Sequence, residues 1–283
     1  MLKINKGNSG AKIFIINDKK LLVKKISPSI IYSNRLEKQH NKIKKFNQKC
    51  FKTPKIIKKG HDKKKFFYVM EYIYGKSLAE NIIDNNYIKS KDIIKKIILQ
   101  LLIYKKSVKN NEFINVNVFK DKIKKIEEKI FYKYKNNPII LKKFNQIKRK
   151  INYKFFEKIP ISDYHGDFTL ENILYSNSKN FYLIDFDSNE FNSFYFDISK
   201  LYQDFMGHWF MRSYNADSEL KSENHIYILL NFYNNKLDDF LKINKINKNV
   251  IVELTKFNLI RTIPYTKNLK ILDFTLNKIL AIK

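Results

Sequence analysis

Two short segments carry oxygen-bearing side chains at spacings that suit phosphoryl transfer. Tyr164-His165-Gly166-Asp167-Phe168-Thr169-Leu170-Glu171-Asn172 sets an Asp five positions ahead of an Asn, and Leu183-Ile184-Asp185-Phe186-Asp187 follows a short hairpin later. Such a set can place one carboxylate on a substrate hydroxyl. It also gives two hard oxygen ligands to Mg²⁺ beside a nucleotide triphosphate, and Mg²⁺ needs few protein ligands because it keeps several waters.

Two loops of this kind need a framework to aim them. Ala11 to Ile16 is an apolar run suited to a strand, Asn17-Asp18 suits a turn, and Leu21 to Ile26 reads as another strand. Ser33 stands where it would cap a helix with an apolar stripe of Leu36, His40, Ile43 and Phe46, and Thr53-Pro54 ends it. Lys55 to Lys58 and Phe66 to Tyr72 read as further strands about Gly60-His61-Asp62. Beyond the segment Met70 to Gly75 the chain turns helical. Ile93, Ile94, Ile97, Ile98, Leu101 and Leu102 form a broad apolar face behind Ser90, and a basic helical region from Lys120 to Lys150 breaks at Asn136-Asn137-Pro138. Asn172 to Tyr175 and Phe181 to Ile184 form a hairpin, after which residues 195 to 282 return to helix. The expected class is α+β. Residues 1–70 form a small antiparallel-sheet lobe with one helix, residues 71–75 a connector, and residues 76–283 a larger, mainly helical lobe holding both acidic loops.

This order of elements, with the motif at residues 164 to 187, resembles the aminoglycoside phosphotransferase and choline kinase superfamily of small-molecule kinases, whose fold is bilobal and protein-kinase-like. The resemblance runs over nearly the whole chain, and its specific signal lies in the two acidic loops. It implies ATP and Mg²⁺ as cofactors, with Asn172 and Asp185 as metal ligands and Asp167 as the residue that orients the acceptor hydroxyl and takes its proton. An alcohol is a poor nucleophile until such a base is within hydrogen-bond reach. The resemblance further implies that His165 packs to hold the loop, and that Asp197, in Phe196-Asp197-Ile198-Ser199, hydrogen-bonds the loop from a helix start. Asp187 replaces the Gly that follows Asp-Phe in protein kinases, which favours small-molecule kinases. Its role stays open between a second metal ligand and a turn residue.

For the nucleotide, Lys24 follows Leu21-Leu22-Val23 as the phosphate-binding Lys follows apolar residues in kinases, and Glu37 is the only acid from Asn34 to Phe46 that could position it. Lys25 faces the other side of the strand, and Lys24 is the favoured candidate. Gly7 and Gly10, in Gly7-Asn8-Ser9-Gly10, would let backbone N–H groups approach phosphates, although the segment is not a full glycine-rich signature. There is no Walker A motif. Met70 and Tyr72 in the connector are expected against the adenine.

The acceptor end is written less clearly. Lysines 122, 124, 125, 133, 135, 142 and 143 occupy the region that aminoglycoside enzymes line with acids, which argues against a cationic antibiotic. Asp204, His208, Trp209 and Arg212 bring the only Trp beside polar groups, either as an aromatic platform for a sugar or polyol or as an ordinary amphipathic helix end. The leading expectation is an ATP-dependent phosphotransferase acting on a hydroxyl of a small molecule, a sugar or amino alcohol for surface polysaccharide. The alternative is a kinase-like binding or scaffold protein with little turnover that contacts a polyanion or protein partner. Asp185 to Asp197 leaves little room for an activation segment, which disfavours a protein acceptor.

Composition sets the remaining bounds. The chain has 283 residues, 44% hydrophobic, with 6 Gly and 5 Pro, and so is globular. Its net charge of +29 is almost all Lys, since Arg occurs only at Arg35, Arg149, Arg212 and Arg261. Lys, Ile, Asn, Phe and Tyr all have A/T-rich codons, so base composition accounts for much of this surplus. Specific nucleic-acid recognition would draw more on Arg. Cys50 alone cannot form an internal disulfide, and no apolar run is long enough to span a bilayer. A cytoplasmic location without membrane insertion is the default, and no motif specifies an oligomeric state.

Overall fold

Runs rich in Ile, Val and Phe build a five-stranded antiparallel sheet in the order β1-β2-β3-β5-β4, from β1 (Leu2–Ile4), β2 (Lys12–Asp18), β3 (Lys20–Ile26), β4 (Ile56–Asp62) and β5 (Lys65–Glu71). The computed structural model describes residues 2–4, 11–47, 49–84, 90–188, 190–212 and 224–282. Gly7 and Gly10 lie outside them. The turn between β2 and β3 is made by Lys19 in the left-handed region, at φ 51°. Helix α1 (Ile30–Lys45) buries Leu36, His40 and Ile43. Its cap is Ser29, whose hydroxyl accepts from Tyr32 N–H at 3.2 Å. Ser33, the expected cap, lies inside the helix and accepts Phe66 N–H at 3.0 Å, so it ties α1 to β5 instead.

The chain divides into two units, residues 1–80 with 171–189, and residues 81–170 with 190–283. Residues 171–189, expected within the larger lobe from residue 76, group with the first unit. The reason is strand pairing. Strand β6 (Gly75–Ser77) pairs with β7 (Ile173–Ser176), which pairs with β8 (Phe181–Leu183). Lys52 N–H donates to Phe181 C=O and Lys52 C=O accepts from Leu183 N–H, both at 2.9 Å. The hairpin therefore belongs with the sheet-bearing unit. Gly75 permits the β6–β7 approach, since a Cβ there would lie 2.2 Å from Tyr175 O.

After the short α2 (Leu78–Ile83), the second unit is helical: α3 (Ser90–Lys106), α4 (Val116–Tyr134), α5 (Pro138–Arg149), α6 (Phe194–Phe205), α7 (Asn224–Ile243), α8 (Lys248–Ile260) and α9 (Leu269–Ala281). The predicted break at Asn136-Asn137-Pro138 is the start of α5. Asn137 accepts Ile140 N–H at 3.1 Å and Pro138 takes the first turn, where its missing N–H costs nothing. Ile93, Ile97 and Leu101 on α3 are fully buried, each contributing roughly 1.5–3 kcal/mol. Rings from four elements meet beneath α6. Phe119 stacks on Phe156 at 4.6 Å and Phe191 on Phe196 at 4.7 Å, with Phe257 edge-on to both pairs. This packing buries one face of α6 through Phe196. Among the described residues no helix is long and apolar enough to cross a membrane.

Candidate active site

In the helical unit, α6 holds the His-Gly-Asp loop. Ser193 caps the helix, accepting Tyr195 N–H, and leaves Asp197 in the first turn, fully buried. Asp197 accepts from the backbone N–H groups of His165 and, at 2.7 Å, Gly166. Gly166 has φ 95°, a conformation that a side chain would strain. His165 is buried, and its Nδ1 accepts Asp167 N–H at 3.2 Å, so the ring proton belongs on Nε2. Two turns along α6, Asp204 Oδ2 accepts Leu170 N–H at 2.7 Å. The loop is thus fixed at both ends by carboxylates from one helix. Between them, Lys200 Nζ lies 3.1 Å from Asp167 Oδ1, while the Asp167 side chain stays 37% exposed.

In the sheet-bearing unit, the turn before β7 carries Asn172, which is buried and whose C=O accepts Ile184 N–H at 3.1 Å. That bond sets Asn172 beside the segment that carries Asp185. Asp185 adopts the left-handed region at φ 59°, a conformation rare outside Gly but tolerated by Asp. Its carboxylate accepts from Lys25 Nζ in a close ion pair. Lys25 is only 3% exposed, with buried Tyr68 alongside. Burial alone would lower the pKa of that ammonium, but Asp185 beside it more than offsets this and holds it above the usual lysine range.

Of the two neighbouring lysines it is Lys25, and not the favoured Lys24, that pairs with an acidic-loop carboxylate. Lys24 projects from the other face of β3, with Nζ 4.4 Å over the Phe67 ring, and Lys25 meets the acidic loop. Glu37 is likewise not the partner of that lysine. The α1 face toward the acidic loop is Arg35, Gln39 and Lys42, and at 100° per residue Glu37 falls roughly opposite it. Arg35 donates to Asp187 Oδ1 from Nη2 at 2.7 Å and Nε at 3.2 Å, Gln39 Nε2 adds a bond at 3.2 Å, and Lys42 Nζ donates to Asp187 C=O at 2.7 Å. Burial alone would lower the Arg35 pKa, but Asp187 raises it above the usual value. These bonds make Asp187 the clasp between α1 and the acidic loop. Met70 is buried in β5, and Tyr72 N–H donates to Leu21 C=O at 3.3 Å.

The expected substrate cluster is internal packing. Asp204 is buried and serves the loop, as above. Trp209 is buried in the helical core, with the Arg212 guanidinium 4.4 Å over its ring and Arg212 Nη1 donating to Trp209 C=O at 2.9 Å. His208 Nδ1 accepts from Lys278 Nζ at 2.8 Å beside the Tyr227 ring, and burial, followed by Lys278, lowers its pKa to about 4. With its faces occupied, the indole is no open platform.

Sequence reasoning passed over Lys200, Arg35, Gln39 and Lys42. Two of these carried a signal. Lys200 is the one basic residue in the run Phe194 to Phe205, and Arg35 is one of very few arginines in a chain that uses Lys almost everywhere.

No family model matches the sequence, and no curated protein does. Solved structures do. The chain is similar to a thermostable mutant of aminoglycoside phosphotransferase APH(4)-Ia in a ternary complex with AMP-PNP and hygromycin B, at 10% identity and a TM-score of 0.56, over 99% of this chain and 92% of that one. It is also similar to a Haemophilus somnus 129PT protein named as a fructosamine-3-kinase, at 13% identity and a TM-score of 0.53, over 100% of this chain and 91% of that one. At such identities the likeness is one of fold. The chain shares the fold of these aminoglycoside phosphotransferase and fructosamine-3-kinase structures.

Proposed function

We propose that the protein is an ATP- and Mg²⁺-dependent phosphotransferase that transfers the γ-phosphate to a hydroxyl of a small molecule. The observation that carries this reading is the buried Lys25 paired with Asp185, whose backbone is held left-handed. A structural scaffold gains little from burying an ammonium against an acidic loop, whereas a triphosphate–metal site needs both charges. Asp185 and Asn172 supply the hard oxygens that suit Mg²⁺, and Lys25 takes phosphate oxygens. When bound, Mg²⁺ would neutralise charge on the phosphate oxygens of the nucleotide, whose γ-phosphorus is the electrophile. Asp167, in the loop that α6 fixes, accepts the proton of the acceptor hydroxyl as its oxygen bonds to the γ-phosphorus and ADP departs. Only four residues separate Asp167 from Asn172, a chain reach of no more than roughly 18 Å. Met70, near the end of β5, and Tyr72, just after it, are the proposed adenine contacts.

The acceptor is proposed as a compact polyol, sugar or amino alcohol. The support is the fold shared with proteins named for hygromycin B and fructosamine substrates. The Trp209 cluster that motivated a surface-polysaccharide role no longer supports it, because its groups are spent on internal contacts. The test is ADP release by the purified protein with Mg-ATP against a panel of sugars and amino alcohols. Acceptor-dependent release that disappears in Asp167→Ala supports the reading. Release undiminished in that variant refutes it.

A further inference from the structure

Helix α6 presents Asp197, Lys200 and Asp204 to the loop at residues 165–170. Their spacings of three and four residues bring all three onto one face of the helix. Asp197 accepts two backbone N–H groups and Asp204 Oδ2 accepts one. Lys200 reaches the Asp167 side chain. We propose that Lys200 is a positioning residue for Asp167, an inference that rests on the phosphotransferase reading above.

Lys200 is 9% exposed, in a helix whose residues from Phe196 to Phe205 are all buried. A buried ammonium is expensive unless it is paired, and an apolar side chain in that place would pack without the penalty. What the lysine provides is a charge 3.1 Å from one carboxylate oxygen of a side chain that is 37% exposed. Neighbouring backbone bonds hold the main chain of Asp167, with Thr169 N–H donating to Asp167 C=O at 2.9 Å and Asp167 N–H donating to His165. Those bonds act on the backbone, whereas Lys200 acts on the carboxylate itself and so on the direction in which Asp167 meets a hydroxyl. A small misplacement of a reacting group costs on the order of 10²-fold in rate, which sets the scale of what this contact can control.

The experiment uses the full chain with Mg-ATP and the best acceptor from the panel, or water as acceptor through slow ATP hydrolysis. Wild type, Lys200→Met, Lys200→Ala, Lys200→Arg and Asp167→Ala are compared for kcat and for the KM of ATP. Lys200→Met is expected to lower kcat roughly 10–100-fold, with the KM for ATP changed by no more than about twofold. Lys200→Arg is expected to retain more of kcat than Lys200→Met. Added methylammonium is expected to restore part of kcat in Lys200→Ala and none in Asp167→Ala. A wild-type kcat in Lys200→Met, with Asp167→Ala inactive, overturns the inference and leaves the phosphotransferase reading standing. So does a loss of kcat that neither Arg nor the amine restores, since a purely structural lysine would behave that way. Wild-type release equal to that of Asp167→Ala overturns the reading and this inference together.

Discussion

Lys25 and Asp185 form an ion pair between the middle strand of the small sheet and the acidic loop, with the lysine almost wholly buried and the Asp185 side chain 30% exposed. That asymmetry has consequences for each partner. Truncating Asp185 leaves an ammonium stranded in the interior, whereas truncating Lys25 leaves a carboxylate that water can still reach. Asp185→Asn is therefore expected to destabilise the fold more than Lys25→Met, by up to about 3 kcal/mol in urea denaturation. Asn tolerates the left-handed backbone, so the cost reads out charge and not strain.

The neighbouring lysines separate just as sharply in activity. Lys25→Met is expected to lower kcat/KM for ATP by roughly 10²-fold or more, as loss of a preorganised donor to phosphate does. Lys24→Met, which removes only a contact with the Phe67 ring, is expected to stay within about twofold of wild type. Equal losses in steady-state assays would contradict the assignment of Lys25.

This pair also shows how far the sequence could be read. The acidic motifs, the strand-rich first part, the hairpin and the break before Pro138 were legible because each rests on local spacing or a local backbone preference. Which of Lys24 and Lys25 faces the loop was not, because a one-residue change of strand phase exchanges the two faces and both positions are lysine. The partner of α1 was missed for a related reason. The single acid on the helix drew attention, but it is the opposite face, through Arg35, Gln39 and Lys42, that meets Asp187. Trp209 misled because rarity in sequence says nothing of burial. Its ring is covered by Arg212 from one turn away.

The clasp on Asp187 is expected to show as coupling. Arg35→Met and Asp187→Asn, singly and together, form a double-mutant cycle. Arg35 is 41% exposed, so solvent screening holds the expected coupling to about 1 kcal/mol in chemical denaturation. Additive losses would mean that the two side chains do not interact in solution.

Asp197 is expected to be costlier. It accepts two backbone N–H bonds while fully buried, and each bond to a charged acceptor contributes roughly 1.5–3 kcal/mol. Asp197→Asn keeps one acceptor oxygen and turns an amide donor toward the other N–H. A loss of about 2–4 kcal/mol by urea denaturation is expected, accompanied by a fall in kcat that exceeds any change in ATP affinity. An unchanged unfolding midpoint would contradict the role given to this residue.

His208 makes stability depend on pH. Burial, and then Lys278, hold its folded pKa at about 4, below the unfolded value of roughly 6.5. The unfolded chain binds the proton more readily, so the contribution of neutral His208 is fully present above pH 6.5 or so and is lost as pH falls toward 4. The loss by pH 4 is at most about 3 kcal/mol. Thermal melts of wild type and His208→Asn between pH 7.5 and 4.5 should converge as the pH drops. Parallel curves would show that His208 does not titrate as described.

The most direct measurement is ATP affinity by titration calorimetry, with Mg²⁺ and with EDTA, for wild type and Asp185→Asn. The account predicts that Mg²⁺ tightens ATP binding to wild type and that Asp185→Asn weakens metal-supported binding by at least roughly tenfold, since loss of a metal contact costs 10–100-fold or more. An Asp185→Asn protein that binds Mg-ATP as tightly as wild type, with the same difference between Mg²⁺ and EDTA, would contradict it.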